Sequence, residues 1–351
     1  MVLVQDITSQ LPEKDVFVVD EIGLFWKLGP SKKVNSEQVR GIRREKAKIT
    51  ITTCCNASGT EKLPLWVIGY SHLPRAFKSL GIRPENINVS WRFTGRALMT
   101  TSIMEEWLRW FDARMEGRKV LLLLDNFIAH GRAIENIRLS GNDLKNTVII
   151  MLPNSSVNLQ NPFEMGIIYN LKSLYRISWL NFLLDHKGSE LNPYNKMNLF
   201  IAIQWINEAW NSNLSPSLIE NCFLNSGIFA SKRAKESEKN IPELLSLDDR
   251  IRELLAMLDP QAAINIQNFI NPIEEMGMDS SEDIISQFAF EIFGDRDFET
   301  DEEEMTTSKV SKEDAHQAIE LLSDYELQQK NGDPNLYLYL QKYLHFLQVH
   351  K

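Results

Sequence analysis

Apolar positions in the first half of the chain fall into short runs separated by polar turns and by longer stretches with helical spacing. Five segments rich in aliphatic and β-branched residues predict strands. They cover residues 16–19, 47–56, 63–70, 120–124 and 147–152. Ser58-Gly59 between the second and third segments is a turn signal, which predicts an antiparallel hairpin. The fourth segment is apolar throughout, as expected for a central strand covered on both faces.

Helical spacing of apolar residues predicts helices between these strands and through most of the second half. The predicted helices cover residues 101–116, 132–138, 165–184, 197–210, 216–224, 248–258, 261–270 and 282–293. Thr100 or Thr101 is expected to cap the first of them, because a threonine hydroxyl can accept from the free N–H groups of a first turn. The pattern therefore predicts a mixed α/β front half followed by an all-helical region.

The last fifth of the chain starts with an acidic break. Residues 295–310 include an acidic run at 299–304, which cannot bury apolar surface and predicts a solvated linker. Two further helices follow within residues 311–351, each with an apolar stripe. A short helix is marginal alone in water, so the stripes need a partner, either the body of this chain or a second copy. The stripe residues that we expect to mediate dimerisation are Ile319, Leu322, Leu336, Leu340, Leu344 and Leu347.

Composition indicates an intracellular protein without a membrane segment. The chain has 351 residues, of which 43% are hydrophobic, enough for a sizeable core and two or three domains. No run approaches the about 20 apolar residues of a membrane span, and the first residues lack the pattern of a signal peptide. The three cysteines, Cys54, Cys55 and Cys222, are badly spaced for zinc and are expected to be buried, reduced thiols.

The net charge of −9 is unevenly distributed. Residues 1–190 carry 25 Lys and Arg against 19 Asp and Glu, whereas residues 191–351 carry 13 against 28. A positive front half suits phosphate groups, and the negative rear half does not. A basic cluster in the front half is either a solvated loop or a nucleic-acid contact. Its candidate contact residues are Lys32, Lys33, Arg40, Arg43, Arg44, Lys46 and Lys48.

Three acidic residues are the main candidates for chemistry. Asp20 and Asp125 each follow a buried apolar run, and Glu164 precedes a predicted helix. Two carboxylates at strand ends and one at a helix start can converge on one cleft. Carboxylate oxygens favour Mg²⁺ or Mn²⁺, and a pair of such ions can act on a phosphodiester. The pattern thus predicts a candidate metal-dependent nuclease site.

Several motifs resemble a known family in the same order along the chain. Residues 16–33 resemble the start of the DDE domain of pogo-type transposases, the family that includes the domesticated centromere protein B. Residues 52–64, 66–69, 99–110 and 121–126 are similar to further motifs of that domain. The resemblance is dense over residues 12–180, and within the family it is strongest to the fission-yeast homologues of centromere protein B.

The resemblance implies an RNase H-like mixed sheet, with three antiparallel strands followed by two parallel ones, flanked by helices. The implied domains are a DDE domain at 1–190, a helical extension packed on it at 191–294, the linker, and a helical dimerisation tail at 311–351. Family members also carry helix-turn-helix modules that read DNA. Nothing before Asp20 is long enough for such a module, so we expect this chain to lack that part.

The same resemblance marks the three acids as the triad of the DDE site, but with departures. The family pattern Gln-Pro-Leu-Asp-Gln-Gly reads Asn-Pro-Phe-Glu-Met-Gly at residues 161–166, with Glu164 in place of Asp. A longer side chain moves its oxygens by about 1 Å, which matters in a site that needs about 0.5 Å accuracy. The acids are therefore either relics that act as caps and acceptors, the reading we favour, or a working two-metal site.

His130 follows the second acid by five residues, as in the family. It could contact a phosphate or orient water, but a structural role, capping the next helix or pairing with a carboxylate, is more typical of such a histidine. The favoured hypothesis is a nuclear, centromere-associated protein derived from a transposase and without catalytic activity. It requires no cofactor, forms a homodimer or pairs with a paralogue, and works with centromeric DNA and silencing proteins. The alternatives are an active Mg²⁺-dependent transposase or endonuclease, and an acidic interaction module unconnected to DNA.

Overall fold

A computed structural model of the chain describes residues 2–30, 48–152, 159–188, 192–229, 242–260, 264–272, 275, 319–320 and 323. The chain divides into two compact units, residues 1–302 and residues 303–351. Within the first unit the described residues form a mixed sheet covered by helices on both faces. No described helix is long and apolar enough to cross a membrane.

The sheet has six described strands in the order β4-β3-β2-β1-β5-β6. Neighbours β1, β2 and β3 are antiparallel, whereas β5 and β6 run parallel to β1 and to each other, as the sequence predicts. The fourth strand, parallel to β3, was not predicted. The strands are β1 Val16–Phe25, β2 Lys48–Asn56, β3 Trp66–Gly69, β4 Ser90–Phe93, β5 Val120–Leu124 and β6 Thr147–Met151.

The first strand is much longer than its apolar run. It pairs with β2 along its length, from Phe17 opposite Asn56 to Phe25 opposite Lys48. The placement of Asp20 at a strand end was therefore wrong: Asp20 lies in the interior of β1. Beyond it, buried and half-buried residues alternate, which is the normal pattern of a strand with one covered face.

Two apolar layers sandwich the sheet. Even-numbered residues of β1 and odd-numbered residues of β5 face one layer, and the remaining residues of these strands face the other. This alternation explains why β5 is apolar at every position. The helices are α1 Val2–Thr8, α2 Arg75–Leu80, α3 Thr101–Arg114, α4 Ile128–Leu139, α5 Ile168–Asp185, α6 Pro193–Lys196, α7 Leu199–Glu208, α8 Pro216–Asn225, α9 Pro242–Leu258 and α10 Ile266–Ile270.

Helices α3 and α4 cover one face of the sheet, and α5, α7 and α8 cover the other. Thr100 caps α3 as expected, since its hydroxyl accepts from the N–H of Ile103 at 3.3 Å. The short helices α1 and α2 were not predicted. The predicted helix at 282–293 lies outside the described residues.

The helical layer is joined to the β2–β3 connection by polar contacts. Trp210 donates its indole N–H to the carbonyl of Leu63 at 2.8 Å. The ammonium group of Lys62 donates to the carbonyls of Asn211 and Leu214 at 3.1 and 2.7 Å. The segment between α7 and α8 is therefore bonded directly to the β2–β3 connection, and these two helices share the core on one face of the sheet.

A buried charge cluster fixes the segment after α10. The Glu275 side chain, 0% exposed, lies 2.6 Å from the Lys172 ammonium and 2.8 Å from the Arg176 guanidinium, both on α5. Its carboxylate also accepts from the N–H of Phe25 at 2.7 Å. Arg176 donates further to the carbonyls of Phe25 and Phe269. One carboxylate thus links the end of β1, helix α5 and the segment around residue 270.

Candidate functional site

The register of the parallel strands brings Asp20 and Asp125 to neighbouring positions. Strand β1 pairs with β5 as far as Val18 opposite Leu123. The same offset carried two residues further places Asp20 opposite Asp125, just past the end of β5. Strand alternation puts Asp20 on the face covered by α5, whereas Asp125, past the end of β5, contacts His130 on α4. Asp20 is 9% exposed, whereas the Asp125 side chain is 46% exposed, so Asp125 forms the solvent side of the site.

Glu164 comes from a wide turn that leads into α5. Residues Phe163–Ile167 form a π-helical turn, and Gly166 has a φ of 144°, a conformation that favours glycine. Buried Phe163 stacks on Trp210, with ring centroids 6.3 Å apart, which fixes the turn against the core. The neighbouring Glu164 is exposed.

Asn161 connects this turn to β1, a role that the sequence did not suggest. The side-chain Nδ2 of Asn161 donates to Oδ2 of Asp20 at 2.9 Å, and its side-chain Oδ1 accepts from the backbone N–H of Phe163 at 3.0 Å. The other oxygen of Asp20 accepts from the N–H of Glu21 at 2.8 Å. Both oxygens of Asp20 are therefore engaged within the protein.

Charge repulsion shows that the three acids share one electrostatic environment. The pKa of Asp20 is raised well above its usual value, first by burial and then by the negative charges of Glu21, Asp125 and Glu164. All three predicted site acids thus contribute to one cluster. Glu21 is an additional member that the sequence analysis missed.

Glu21 and Asp125 flank a buried histidine. The ring of His130, 0% exposed, places Nδ1 2.7 Å from Asp125 and Nε2 3.2 Å from Glu21. Burial lowers the pKa of His130, but the attraction of Glu21 and Asp125 outweighs it and raises the pKa to about 10. Neither ring nitrogen of His130 has hydrogen-bond geometry towards these carboxylates, so charge attraction dominates the contacts with Glu21 and Asp125. The favoured structural reading of His130, pairing with a carboxylate, agrees with this geometry.

The donor set suits a hard cation in its chemistry but not in its arrangement. Carboxylate oxygens are the preferred ligands of Mg²⁺ and Mn²⁺. Yet each oxygen of Asp20 already accepts a hydrogen bond, one from Asn161 and one from a backbone N–H, and Oδ1 of Asp125 lies 2.7 Å from His130. Among the residues that the structure describes, no group of three or more His, Cys, Asp or Glu side chains is placed to hold a metal ion. The acids lie together without forming a ligand set.

The candidate nucleic-acid contacts fall almost entirely outside the described residues. Lys32, Lys33, Arg40, Arg43, Arg44 and Lys46 lie between residues 31 and 47, which the structure does not describe. Lys48 is described and half-buried at the start of β2, where its side chain runs alongside Gly23 of β1. Nucleic-acid contact by this cluster remains a prediction.

The candidate dimerisation residues lie in the second unit and are also mostly outside the described residues. These are Leu322, Leu336, Leu340, Leu344 and Leu347. Ile319 is described and half-buried, and its carbonyl accepts from the Ser323 hydroxyl at 2.8 Å. That spacing of four residues is typical of a helix. Self-association through this tail remains a prediction.

Comparison with known protein families decides the ancestry. The family described as DDE superfamily endonuclease matches residues 46–223, which is more than half of the chain. This chain belongs to the DDE superfamily. The match includes Asp125 and Glu164 and extends beyond the sheet into α8. No solved structure shows a significant match.

Curated relatives match this DDE protein over nearly its whole length. ARS-binding protein 1 of Schizosaccharomyces pombe is 49% identical over 99% of the chain. CENP-B homolog protein 2 and CENP-B homolog protein 1 of the same organism are 45% and 35% identical over 95% and 97% of it. The human Major centromere autoantigen B is 26% identical over 61%. The chain spans only 66%, 65% and 66% of the lengths of the three yeast relatives. The suspected resemblance to this family is thus confirmed.

Of the two missed residues, Glu21 and Asn161, only Glu21 had a signal in the sequence. Once Asp20 is placed inside β1, alternation puts Glu21 on the face covered by α4, where His130 is found. The link between Asn161 and Asp20 joins residues 141 positions apart, and only the tertiary fold reveals it.

Proposed function

We propose that this chain is the scaffold and dimerisation part of a transposase-derived DNA-binding protein of centromeric and heterochromatic chromatin. The observation that carries the proposal is the similarity over 95–99% of the chain to relatives named as ARS-binding and CENP-B homologue proteins. The whole protein would read centromeric DNA through a part beyond this chain. It would act in the nucleus, supporting silencing and chromosome segregation together with silencing proteins.

The proposed scaffold has an RNase H-like sheet that is catalytically silent. The arrangement of the acids supports silence, since Asp20 and Asp125 are engaged by Asn161 and His130. The scaffold would hold two DNA-reading arms in one dimer, so that binding by the second arm becomes intramolecular at a raised effective concentration. The partner is a second copy or a paralogue.

The proposed dimer can be tested by light scattering on the full chain. The intact chain is expected to have the mass of a dimer, and a chain without residues 303–351, the second compact unit, that of a monomer. Leu340→Lys should also give a monomer, because a buried ammonium cannot pack in an apolar seam. Gln341→Lys, one position away and off the predicted stripe, is the matched control and should remain dimeric. A monomeric intact chain would remove the bridging role.

An active Mg²⁺-dependent DDE endonuclease or transposase is the second candidate. It is favoured by the presence of all three acids in one electrostatic cluster and by the family itself. Supercoiled plasmid incubated with Mn²⁺ separates the two functions. The scaffold proposal expects no nicking above that of an Asp125→Ala variant. Nicking by the wild type that disappears in Asp125→Ala would establish the nuclease instead.

A further inference from the structure

Two polar side chains engage the acidic residues from opposite layers of the sheet. Asn161 approaches Asp20 from the side of α5, and His130 approaches Asp125 from α4 on the other side. Asn161 and His130 therefore contact two of the three predicted site acids. These contacts bear directly on why the carboxylates of Asp20 and Asp125 do not form a ligand set.

Asp20 is held at both oxygens. Oδ1 accepts from the N–H of Glu21 at 2.8 Å, and Oδ2 accepts from the amide of Asn161 at 2.9 Å. Asp20 is only 9% exposed, so little water is available to replace either donor. A cation that bound Asp20 would have to displace or share these two bonds.

Asn161 is itself fixed from its other end. Its carbonyl oxygen accepts from the N–H of Phe163 at 3.0 Å, and Phe163 is fully buried. The amide therefore cannot rotate away from Asp20 without also uncapping the turn that carries Glu164. The single side chain sets both the orientation of Asp20 and the approach of the turn.

Asp125 is drawn in the opposite direction. Its Oδ1 lies 2.7 Å from Nδ1 of His130 and accepts from the N–H of Phe127 at 3.3 Å. The ring of His130 is braced on its far side by Glu21, whose side chain is 4% exposed. Rotation of Asp125 towards Asp20 would break the contact with a buried ring that has no water to replace it.

We propose that Asn161 and His130 are positioning residues that latch Asp20 and Asp125 apart and keep the acidic trio from coordinating a divalent cation. This inference rests on the proposed silent scaffold and supplies its physical cause. The latch is made by two of the protein's own side chains, so a small change in either one should create a cation site from carboxylates already in place.

The decisive variant is Asn161→Ser in the full chain. A serine hydroxyl can still cap the N–H of Phe163 but is too short to reach Asp20. We expect it to bind Mn²⁺ about tenfold more tightly than the wild type. Hydrogen-bond partners of metal ligands alter affinity by about this factor, usually by strengthening binding; here the sign is reversed because Asn161 holds Asp20 away from the cation. Free Mn²⁺ is measured by electron paramagnetic resonance, and the rise of the melting temperature with Mn²⁺ gives a second readout.

A buried asparagine elsewhere provides the matched control. Asn170 is 2% exposed and donates to the carbonyl of Gly166 at 2.8 Å, without contacting a carboxylate. Asn170→Ser should leave Mn²⁺ binding at the wild-type level. Adding Asp20→Asn to Asn161→Ser should abolish the gain. His130→Asn tests the Asp125 side independently, and it too should gain affinity, which covers the case in which Asn161→Ser does not fold.

The results separate the latch from the function. Folded Asn161→Ser and His130→Asn proteins without any gain in Mn²⁺ affinity would overturn the latch while leaving the silent scaffold intact. Asp125-dependent plasmid nicking by the wild type would overturn the scaffold. Such nicking would overturn the latch as well, because it requires the wild-type trio to coordinate the cation.

Discussion

The buried carboxylate of Glu275 supports a quantitative prediction. Among the described residues it is the only anionic side chain in contact with Lys172 and Arg176, and all three side chains are at most 2% exposed. Glu275→Gln keeps the size of the side chain but removes the charge, leaving two cations without compensation. Breaking a buried ion pair in this way typically costs about 3–5 kcal/mol.

The cost is expected at the upper end of that range because one carboxylate serves three donors. Besides the two cations, Glu275 accepts from the N–H of Phe25 at 2.7 Å, and a glutamine oxygen can satisfy only part of this set. The variant should therefore lose about 5 kcal/mol of unfolding free energy in urea or thermal denaturation. Hydrogen exchange should also rise in residues 264–272, which Glu275 helps to hold.

The matched control is Glu253→Gln on α9. Glu253 also pairs with an arginine, Arg250, at 3.1 Å, but its side chain is 61% exposed. Exposed pairs contribute about 0–1 kcal/mol, so this change should be nearly silent. If Glu275→Gln cost no more than Glu253→Gln, the segment around Glu275 would not be held by charge and the reasoning would fail.

Three further predictions concern the turns and the acidic cluster. Gly59 and Gly81 both have a positive φ, +66° and +65°, but a Cβ added at Gly59 would lie 2.3 Å from the carbonyl oxygen of Pro216, whereas one added at Gly81 would meet open space. Gly81→Ala therefore carries only the strain of a left-handed backbone, roughly 1–2 kcal/mol. Gly59→Ala should lower the melting temperature by clearly more than Gly81→Ala. Because the pKa of Asp20 is raised in the folded state, the folded state binds more protons than the unfolded state above pH 3.8, and stability falls as pH rises. Asp20→Asn removes this effect, so in thermal melts it should stabilise the protein more at pH 7.5 than at pH 4. The raised pKa of His130 acts in the same direction. The stabilisation by protonated His130 is complete below about pH 6.5 and is lost towards about pH 10. The difference in unfolding free energy between wild type and His130→Asn, measured in urea titrations, should therefore shrink over that interval. Equal Gly59 and Gly81 effects, or pH-independent differences for the other two variants, would contradict these assignments.

Strands with a strong apolar pattern were predictable, and those defined by pairing were not. Residues 120–124 form β5 with the predicted bounds, because apolar side chains on both faces leave no other reading. The predicted first strand stopped at Asp20, because a charged residue after an apolar run resembles a strand end. Pairing with β2 carries β1 on to Phe25 and buries Asp20 within it. The four-residue β4 has a single buried side chain, Trp91, which is too weak a pattern to predict a strand.

The acidic residues of the candidate site could be predicted from the sequence, but the polar contacts that connect them to other side chains could not. The acids could be chosen because carboxylates at strand ends and helix starts have a recognised chemistry. Asn161 gave no such signal, since an asparagine before a proline is typical of any turn. Glu21 and His130 are separated by more than a hundred positions, and their contact depends on how α4 packs on the sheet. Long-range polar contacts of this kind depend on the assembled fold.

The bonds between the helical layer and the β2–β3 connection limit where the protein can be shortened. A piece ending near residue 190, the border that the sequence suggested, would lose the indole of Trp210 from the Leu63 carbonyl and the acceptors of the Lys62 ammonium. It would also uncover the face of Phe163 that stacks on Trp210, next to Glu164. Expression of a soluble fragment that contains the sheet and the acidic residues would therefore require at least α7 and α8, and a shorter product would be expected to aggregate.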